Sequence, residues 1–396
     1  MTPSIRRRQF LMGTGALLSM SAFSAACGGA YVAGWDLPRE PRGTDQEPIV
    51  TTLRYAITAP SAHNTQPWRF ELVSEREARI YTDPRRLLPR TDPLARQIHI
   101  SHGTLLETAA IAATALGLHA EIEGLPEGEL VPSDFGRKPT ARLRLIDLPS
   151  GPVDPLFRGI ALRRTSRLLH SERPVNADQA RQVTQAAVRA GVEALVHLQH
   201  LGALQSIARR AMTVEVDDAG LYAETLKWFR FSADEVRAHG DGLNLETTGA
   251  DGLAARLFLN AENFQSEANR QRFLTNFFEA IDKTQAFFTL STPTNTMRDW
   301  IATGRAYLRA QLAATLVGLS MHPVSQSQQE FPQMKQIGQE LAGLLGVAPP
   351  GKVQMLVRLG RTDPPARSPR RPLSAMLASS TPRSNAAGSA RTPPSR

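Results

Sequence analysis

The chain of 396 residues has a single cysteine, Cys27, which excludes disulfides within it and zinc sites built on cysteine. It also has no long apolar run. The moderately apolar stretch from Phe10 to Phe23 carries Gly13, Gly15, Ser19 and Ser21, and is too short and mild for a membrane span. Common catalytic signatures are missing as well: there is no HExxH, no P-loop and no GxSxG, and Gly13-Thr14-Gly15 lacks a third glycine. His99 and His102 have a spacing that metals accept, but no third histidine or carboxylate accompanies them at ligand spacing, so no metal site is expected.

Acids are absent from both ends. Arg6, Arg7 and Arg8 precede Cys27 without one, and the tail from Pro364 to Arg396 adds six arginines, again without one. The formal charge of +9 therefore belongs to the ends, and the residues between carry no net charge. A basic groove for a nucleic-acid backbone is not expected. Arg7-Arg8-Gln9-Phe10-Leu11 resembles the twin-arginine export motif, and Ser24-Ala25-Ala26 suits a signal peptidase. Residues 1–26 are read as a signal, 27–44 as a linker, and the destination as periplasm or cell envelope. The alternatives are an N-terminal anchor, or a cytoplasmic protein if the signal does not function. Cys27 at the cleavage point allows a lipoprotein, although Ser24 stands where such motifs prefer Leu. The Pro-, Ser-, Ala- and Arg-rich stretch 364–396 is predicted to be disordered.

What is present is a repeat. HISHGTLLETAAIAATALGLHA (99–120) aligns without gaps on WIATGRAYLRAQLAATLVGLSM (300–321), with Gly103 on Gly304 and Gly117 on Gly318. Both read as buried Ala-rich helices closed by a glycine, and small residues would let them approach closely. Each is preceded by a helical pattern, Glu47 to Ala59 and Ala177 to Ala190, and followed by an alternating strand, 142–146 and Val353 to Leu359. Copy one spans about 45–150 and copy two about 151–363. The second copy carries extra residues, placed within 213–285, of the kind that form lids or binding loops.

Two stretches stand apart from this scaffold. ALRRTSRLLH (161–170) surrounds Thr165 and Ser166 with Arg163, Arg164 and Arg167, a donor set that suits a phosphate, although such a run also suits a solvated surface. APSAHNTQPWRF (59–70) places Ser61, His63, Asn64 and Gln66 in a loop ahead of an apolar strand. Ser61 and Asn64 offer donors and acceptors suited to a flat polar heterocycle. Arg358 and Arg361 close the last strand and are ambiguous by themselves.

PSAHNTQPW resembles the PSxxNxQPW loop of the FMN-binding nitroreductases, and Arg163-Arg164-Thr165-Ser166-Arg167 is similar to their phosphate segment. The helix from Gly304 into Pro323-Val324-Ser325-Gln326, and the closing VRLGR (357–361), look like that family's flavin-side turn and final basic strand. The export signal, duplicated halves and insert resemble its Acg-like subgroup. The resemblance implies an α+β fold in which two fused copies form an intrachain pseudo-dimer, with mixed, mostly antiparallel sheets flanked by helices. It implies one FMN per chain, because PSAHN occurs only in copy one and RRTSR only in copy two. Pro60, Ser61, Ala62, His63, Asn64 and Gln66 would border the ring, and backbone N–H groups of Val324 to Gln326 would face flavin N5. Arg163, Arg164, Thr165, Arg167, Arg358 and Arg361 would serve the phosphate, with Arg230 of the insert near the ring. The implied activity is hydride transfer from NAD(P)H through FMN to a nitroaromatic, quinone or similar acceptor, with no catalytic side chain required. The rival is a flavin-holding protein with little turnover, its ring covered by the insert. The implied partners are the export machinery and a small electron acceptor, and the expected state is a monomer.

Overall fold

A computed structural model describes Leu37 and residues 47–148, 151–249 and 260–378. The signal segment, Cys27, Asp251-Gly252 and the tail beyond 378 lie outside the described residues. Among the described residues no helix is long and apolar enough to cross a membrane.

Helix α1 (Pro48–Ala56) opens on a proline, whose missing N–H costs nothing in a first turn. Strands β1 (Trp68–Ser74) and β2 (Glu77–Thr82) form a tight hairpin. Helix α2 (Arg96–Ala115) follows, then β3 (Leu118–Gly124) and β4 (Ala141–Asp147). The second half begins with the short α3 (Phe157–Leu162) and continues through α4 (Ala177–Ala186) and β5 (Glu193–His197). An insertion contains α5 (Leu201–Asp217), α6 (Ala219–Lys227), a two-residue ribbon pairing 229–230 with 243–244, and α7 (Glu267–Asp282). Strand β6 (Ala286–Thr292), helix α8 (Met297–Leu316), strand β7 (Ser320–Pro323), helix α9 (Lys335–Leu344) and strand β8 (Lys352–Gly360) complete it.

The two sheets have orders β1-β2-β4-β3 and β5-β6-β8-β7, antiparallel at every pairing. Each strand of the first therefore has a counterpart in the same place in the second, and α2 and α8 occupy the same position in each order. Parallel pairing occurs at two edge bridges, Thr165 with Met321 and Leu377 with Phe70, and in the insertion's two-residue ribbon. Gly117 and Gly318 close the long helices with φ of 70° and 72°, the left-handed conformation a helix-ending glycine supplies without a Cβ penalty. The connection that is Glu75-Arg76 in the first hairpin becomes residues 198–285 in the second, so the insertion starts earlier than 213 because α5 follows β5 directly.

Helices α2 and α8 cross backbone to backbone at Gly103 and Gly304. A Cβ on Gly304 would lie 2.9 Å from Gly103 Cα, and one on Gly103 would lie 2.8 Å from Gly304 Cα. Around this crossing one continuous core joins both halves, from Trp68 and Phe70 to Val357 and Leu359. The insertion adds a second core on the other face of the second sheet. Phe288 points into the shared core, whereas its neighbour Phe287 packs with Leu204, Ile207 and Leu356. That is why β8 is buried along almost its whole length, whereas β4 alternates and keeps an exposed face. Glu107, 3% exposed on α2, accepts from Arg305 (2.6 Å), Arg189 (2.9 Å) and Arg309 (3.0 Å). Thr104, which precedes it on α2, aligns with Arg305 in the repeat.

The expected disorder from Pro364 onward is corrected as far as residue 378. Residues 364–378 run back over the first half as a strap, burying Arg370, Arg371, Leu373 and Met376. An acid-free composition suggests a solvated tail, but these arginines direct their donors to backbone carbonyls rather than to water. Arg370 reaches the carbonyls of Thr58 (2.8 Å) and Ala59 (3.2 Å), and Arg371 that of Ala375 (2.9 Å).

Candidate ligand site

A cavity of about 360 Å³ lies where the two halves, the insertion and the strap meet, within the size range of small-molecule sites. Of the residues singled out in the sequence, Pro60, Ser61, Ala62, His63, Asn64, Arg163, Thr165, Arg167, Pro323, Ser325 and Gln326 line it. The PSAHN loop and the RRTSR segment, about a hundred residues apart in sequence, thus face one space.

The loop is strained and tightly held. His63, Asn64 and Gln66 have φ of 47°, 54° and 50°, a left-handed conformation that costs non-glycine residues on the order of 1–3 kcal/mol each. Hydrogen bonds over-determine it. Ser61 Oγ accepts from the Gln66 N–H (3.0 Å), Ser101 Oγ accepts from the Ala62 N–H (3.1 Å), and Thr104 donates to the Pro60 carbonyl (2.6 Å).

The roles expected of Asn64 and Gln66 need correction. The Asn64 amide donates to the carbonyls of Gly242 and Pro369, both at 3.1 Å, and its Oδ1 accepts from Arg370 (3.0 Å). Gln66 donates to the Gly240 carbonyl (2.9 Å) and accepts from the Arg371 N–H (2.9 Å). Both amides are consumed in tying the loop to the insertion on one side and the strap on the other, so neither is spare for a ring. Asn64→Ala is expected to lower stability by about 1–3 kcal/mol, because it strips partners from two carbonyls and a buried guanidinium. Urea unfolding reads this directly, and an unchanged midpoint would show that water replaces the amide.

Five other expected residues stand outside the cavity wall. Arg230 pairs with buried Asp241 (2.6 Å), which also holds Arg86 (2.7 Å), and both guanidiniums lie over Trp228. Arg164 folds back on the carbonyls of Ala161, Leu162 and Arg163. Arg361 donates to the Gly318 carbonyl (3.3 Å) at the end of α8. The Val324 N–H is committed to the Leu356 carbonyl (2.8 Å), which leaves Ser325 and Gln326 as the turn's candidates. Arg358 is one layer back. It donates to Thr284 (2.8 Å) and sits 3.3 Å from His322, which does line the cavity.

The electrostatics of the wall are unbalanced. Arg163 is buried and Arg167 partly buried, and neither has a carboxylate within ion-pair distance among the described residues. Arg163 has only the Thr58 carbonyl (3.0 Å) and Gln311 (3.5 Å), and Arg167 the Thr247 carbonyl (3.4 Å). Burial pushes both guanidiniums down to about 10, partly offset by Tyr307, whose phenol burial in turn pushes up. Burial and the nearby Arg167 push His63 down to about 4, and burial with Arg167, Arg358 and His170 lowers His322. Several lining side chains also have a buried polar atom with no partner among the described residues, among them Tyr307 Oη, His63 Nδ1, Gln97 Nε2, Gln326 Oε1 and Gln329 Oε1. Unopposed cations at one part and unmet donors and acceptors elsewhere fit a ligand with an anionic group and a polar-edged ring.

Sequence reasoning missed Gln97, Ser101 and Thr104 of α2, Tyr307 of α8, Glu215 of the insertion and Arg370 of the strap, all of which line the cavity. The first three carried a signal. Their spacing of four and three places them on one face of an otherwise Ala-rich helix.

No family model matches the chain. A putative NAD(P)H nitroreductase of Mycobacterium tuberculosis is 27% identical over 345 residues, covering 84% of this chain and 92% of that protein. The putative NAD(P)H nitroreductase acg of the same organism is 26% identical over 341 residues, covering 82% and 93%. Among solved structures, the FMN and NADPH-dependent nitroreductase NfnB from sphigopyxis sp. is 15% identical with a TM-score of 0.38, covering 57% of this chain and 98% of that one. A nitroreductase with bound FMN from Bacteroides fragilis is 14% identical with a TM-score of 0.32, covering 53% and 89%. Over 82–84% of its length the chain is a homologue of mycobacterial putative NAD(P)H nitroreductases, Acg among them.

Proposed function

We propose that the cavity binds one FMN and that the protein is an NAD(P)H-dependent flavin oxidoreductase acting on a nitroaromatic, quinone or similar small acceptor. The observation that carries this reading is the pair of carboxylate-free guanidiniums, buried Arg163 and partly buried Arg167, in the same wall as the 60–64 loop. In the proposed complex, Arg163, Thr165 and Arg167 hold the phosphate, with Arg358 supporting through His322. The backbone of Pro60 to His63 borders the ring, and the N–H groups of Ser325 and Gln326 face its reactive edge. When bound, FMN supplies hydride transfer, and the protein supplies orientation and exclusion of water. The names of the mycobacterial relatives support the choice of donor.

The matched strand orders of the two halves support the further proposal that they are fused copies acting as a pseudo-dimer within one chain. The second site is then filled: Arg305 stands where the matched Thr104 lines the cavity, and is locked to Glu107. We also propose that residues 1–26 direct export, with FMN loaded beforehand.

A second reading, flavin holding with little turnover, is favoured by the insertion's clasp. Asp241 with Arg86, and Asn64 with Gly242, fasten the insertion to the loop beside the cavity. The absorption spectrum of purified protein tests the flavin, and anaerobic mixing with NADPH separates the readings. Oxidoreductase function predicts a yellow protein with one FMN per chain whose visible band bleaches on mixing. A yellow protein bleached only by dithionite favours holding, and one that stays colourless after FMN addition overturns both. Two FMN per chain would refute the filled second site.

A further inference from the structure

Glu215, on α5 of the insertion, is the single carboxylate among the residues lining the cavity, and is 5% exposed. It has no cation within ion-pair distance among the described residues, although arginines line the same space. Its partners are neutral. Gln329 Nε2 donates to Oε2 (2.9 Å) and Thr225 Oγ1 to Oε1 (3.4 Å). Gln326, in the turn facing the cavity, also bonds to it. Thr225 Oγ1 lies 3.4 Å from His63 Nε2, linking the carboxyl to the 60–64 loop.

The charged groups around it do not neutralise it. On α6 the charged neighbour is Glu224, a like charge bound to the N–H groups of Arg90 and Thr91. On α7, Arg272 lines the same cavity without pairing with Glu215, and Asp282 of α7 and Glu340 of α9 are paired with Arg209 and Arg210 at other turns of α5. The 325–328 turn and β6 present amides, hydroxyls and apolar groups. Burial therefore dominates and raises the carboxyl, against the hydrogen bonds from Gln329, Thr225 and Gln326, with Glu224 adding to the rise.

From this position, beside the turn and within the same cavity, we propose that Glu215 donates the proton that completes reduction of the acceptor. The proposal rests on the flavin reading above. A quinone that takes a hydride from reduced FMN gains two electrons and one proton and becomes a hydroquinone monoanion. The Glu215 O–H bond then breaks, a new O–H bond forms on the anionic oxygen, and oxidised FMN, neutral hydroquinone and a carboxylate remain. Gln329, Thr225 and Gln326 hold that carboxylate until it regains a proton from water as product leaves. Positioned proton donors of this kind contribute about 10²- to 10⁴-fold.

The test uses Glu215→Gln and Glu215→Asp in the full chain. First, the wild-type apoprotein should show an un-ionised carboxyl stretch in the infrared that persists to higher pH than an exposed glutamate and disappears in Glu215→Gln. Its absence from wild type overturns the proposal. Second, FMN affinity should stay within a few-fold in both variants. Third, protein loaded with FMN and reduced by dithionite, so that no nicotinamide step intervenes, is mixed anaerobically with p-benzoquinone. Reoxidation in Glu215→Gln should slow by about 10²-fold or more and lose its dependence on pH, with Glu215→Asp recovering part of the rate. Wild-type reoxidation by Glu215→Gln, or no electron transfer to quinone by wild type, overturns the proposal while leaving FMN binding intact. Failure of the wild-type protein to bind FMN sinks the flavin reading itself.

Discussion

Replacing Arg163 and Arg167 together by Met should weaken FMN binding by about 10²- to 10⁴-fold, since each charge-assisted contact contributes about 1.5–3 kcal/mol. The same change should leave the apoprotein at least as stable as wild type. Methionine keeps most of the apolar stem, while two guanidiniums that burial disfavours, and that no carboxylate compensates, are removed. The opposite signs are the diagnostic feature. If these arginines merely braced the fold, both quantities would fall together. Fluorescence titration with FMN and thermal unfolding of the apoprotein measure the two, and retention of tight binding would remove both residues from the phosphate site.

Gly304→Ala should destabilise the protein by about 1–3 kcal/mol or more, and Gly103→Ala by a comparable amount. At each position the new methyl would enter the backbone of the opposite helix, with Ile100 on one side and Ile301 on the other, where no flexible side chain can yield. The helices would have to part. That separation carries Ser101 and Thr104 on α2 away from Tyr307 on α8, so FMN affinity should fall along with the melting temperature. Gly202→Ala is the control, because nothing lies within 4 Å of a Cβ there. A Gly304→Ala protein that melts with wild type would mean that the crossing is looser than the geometry gives.

The scaffold was legible because it rests on local rules. The glycines ending both Ala-rich helices, the alternation of 142–146 and the gap-free match of Gly103 to Gly304 each express short-range chemistry, and the α+β architecture follows from them. The RRTSR and PSAHN segments stand out for the same reason, as clustered polar side chains, and both border the one cavity. What was not legible is how polar groups are shared between distant segments. Asn64 looks like a ligand residue until Gly242 and Pro369, some 178 and 305 residues away, are seen taking its amide. Arg370 looks like part of a solvated tail until the carbonyls of Thr58 and Ala59 are seen beneath it. Glu215 gives no signal in sequence, since its meaning depends on which charges do not surround it.

The crossing of α2 on α8 has one further consequence. A ligand site shared between two separate subunits is subject to mass action: dilution parts the halves, and any bound ligand shifts the association equilibrium. Here both helices belong to one polypeptide, so the halves cannot drift apart on dilution, exchange with another copy or be titrated by a damaged partner. Affinity for the ligand should be independent of protein concentration down to the lowest measurable levels.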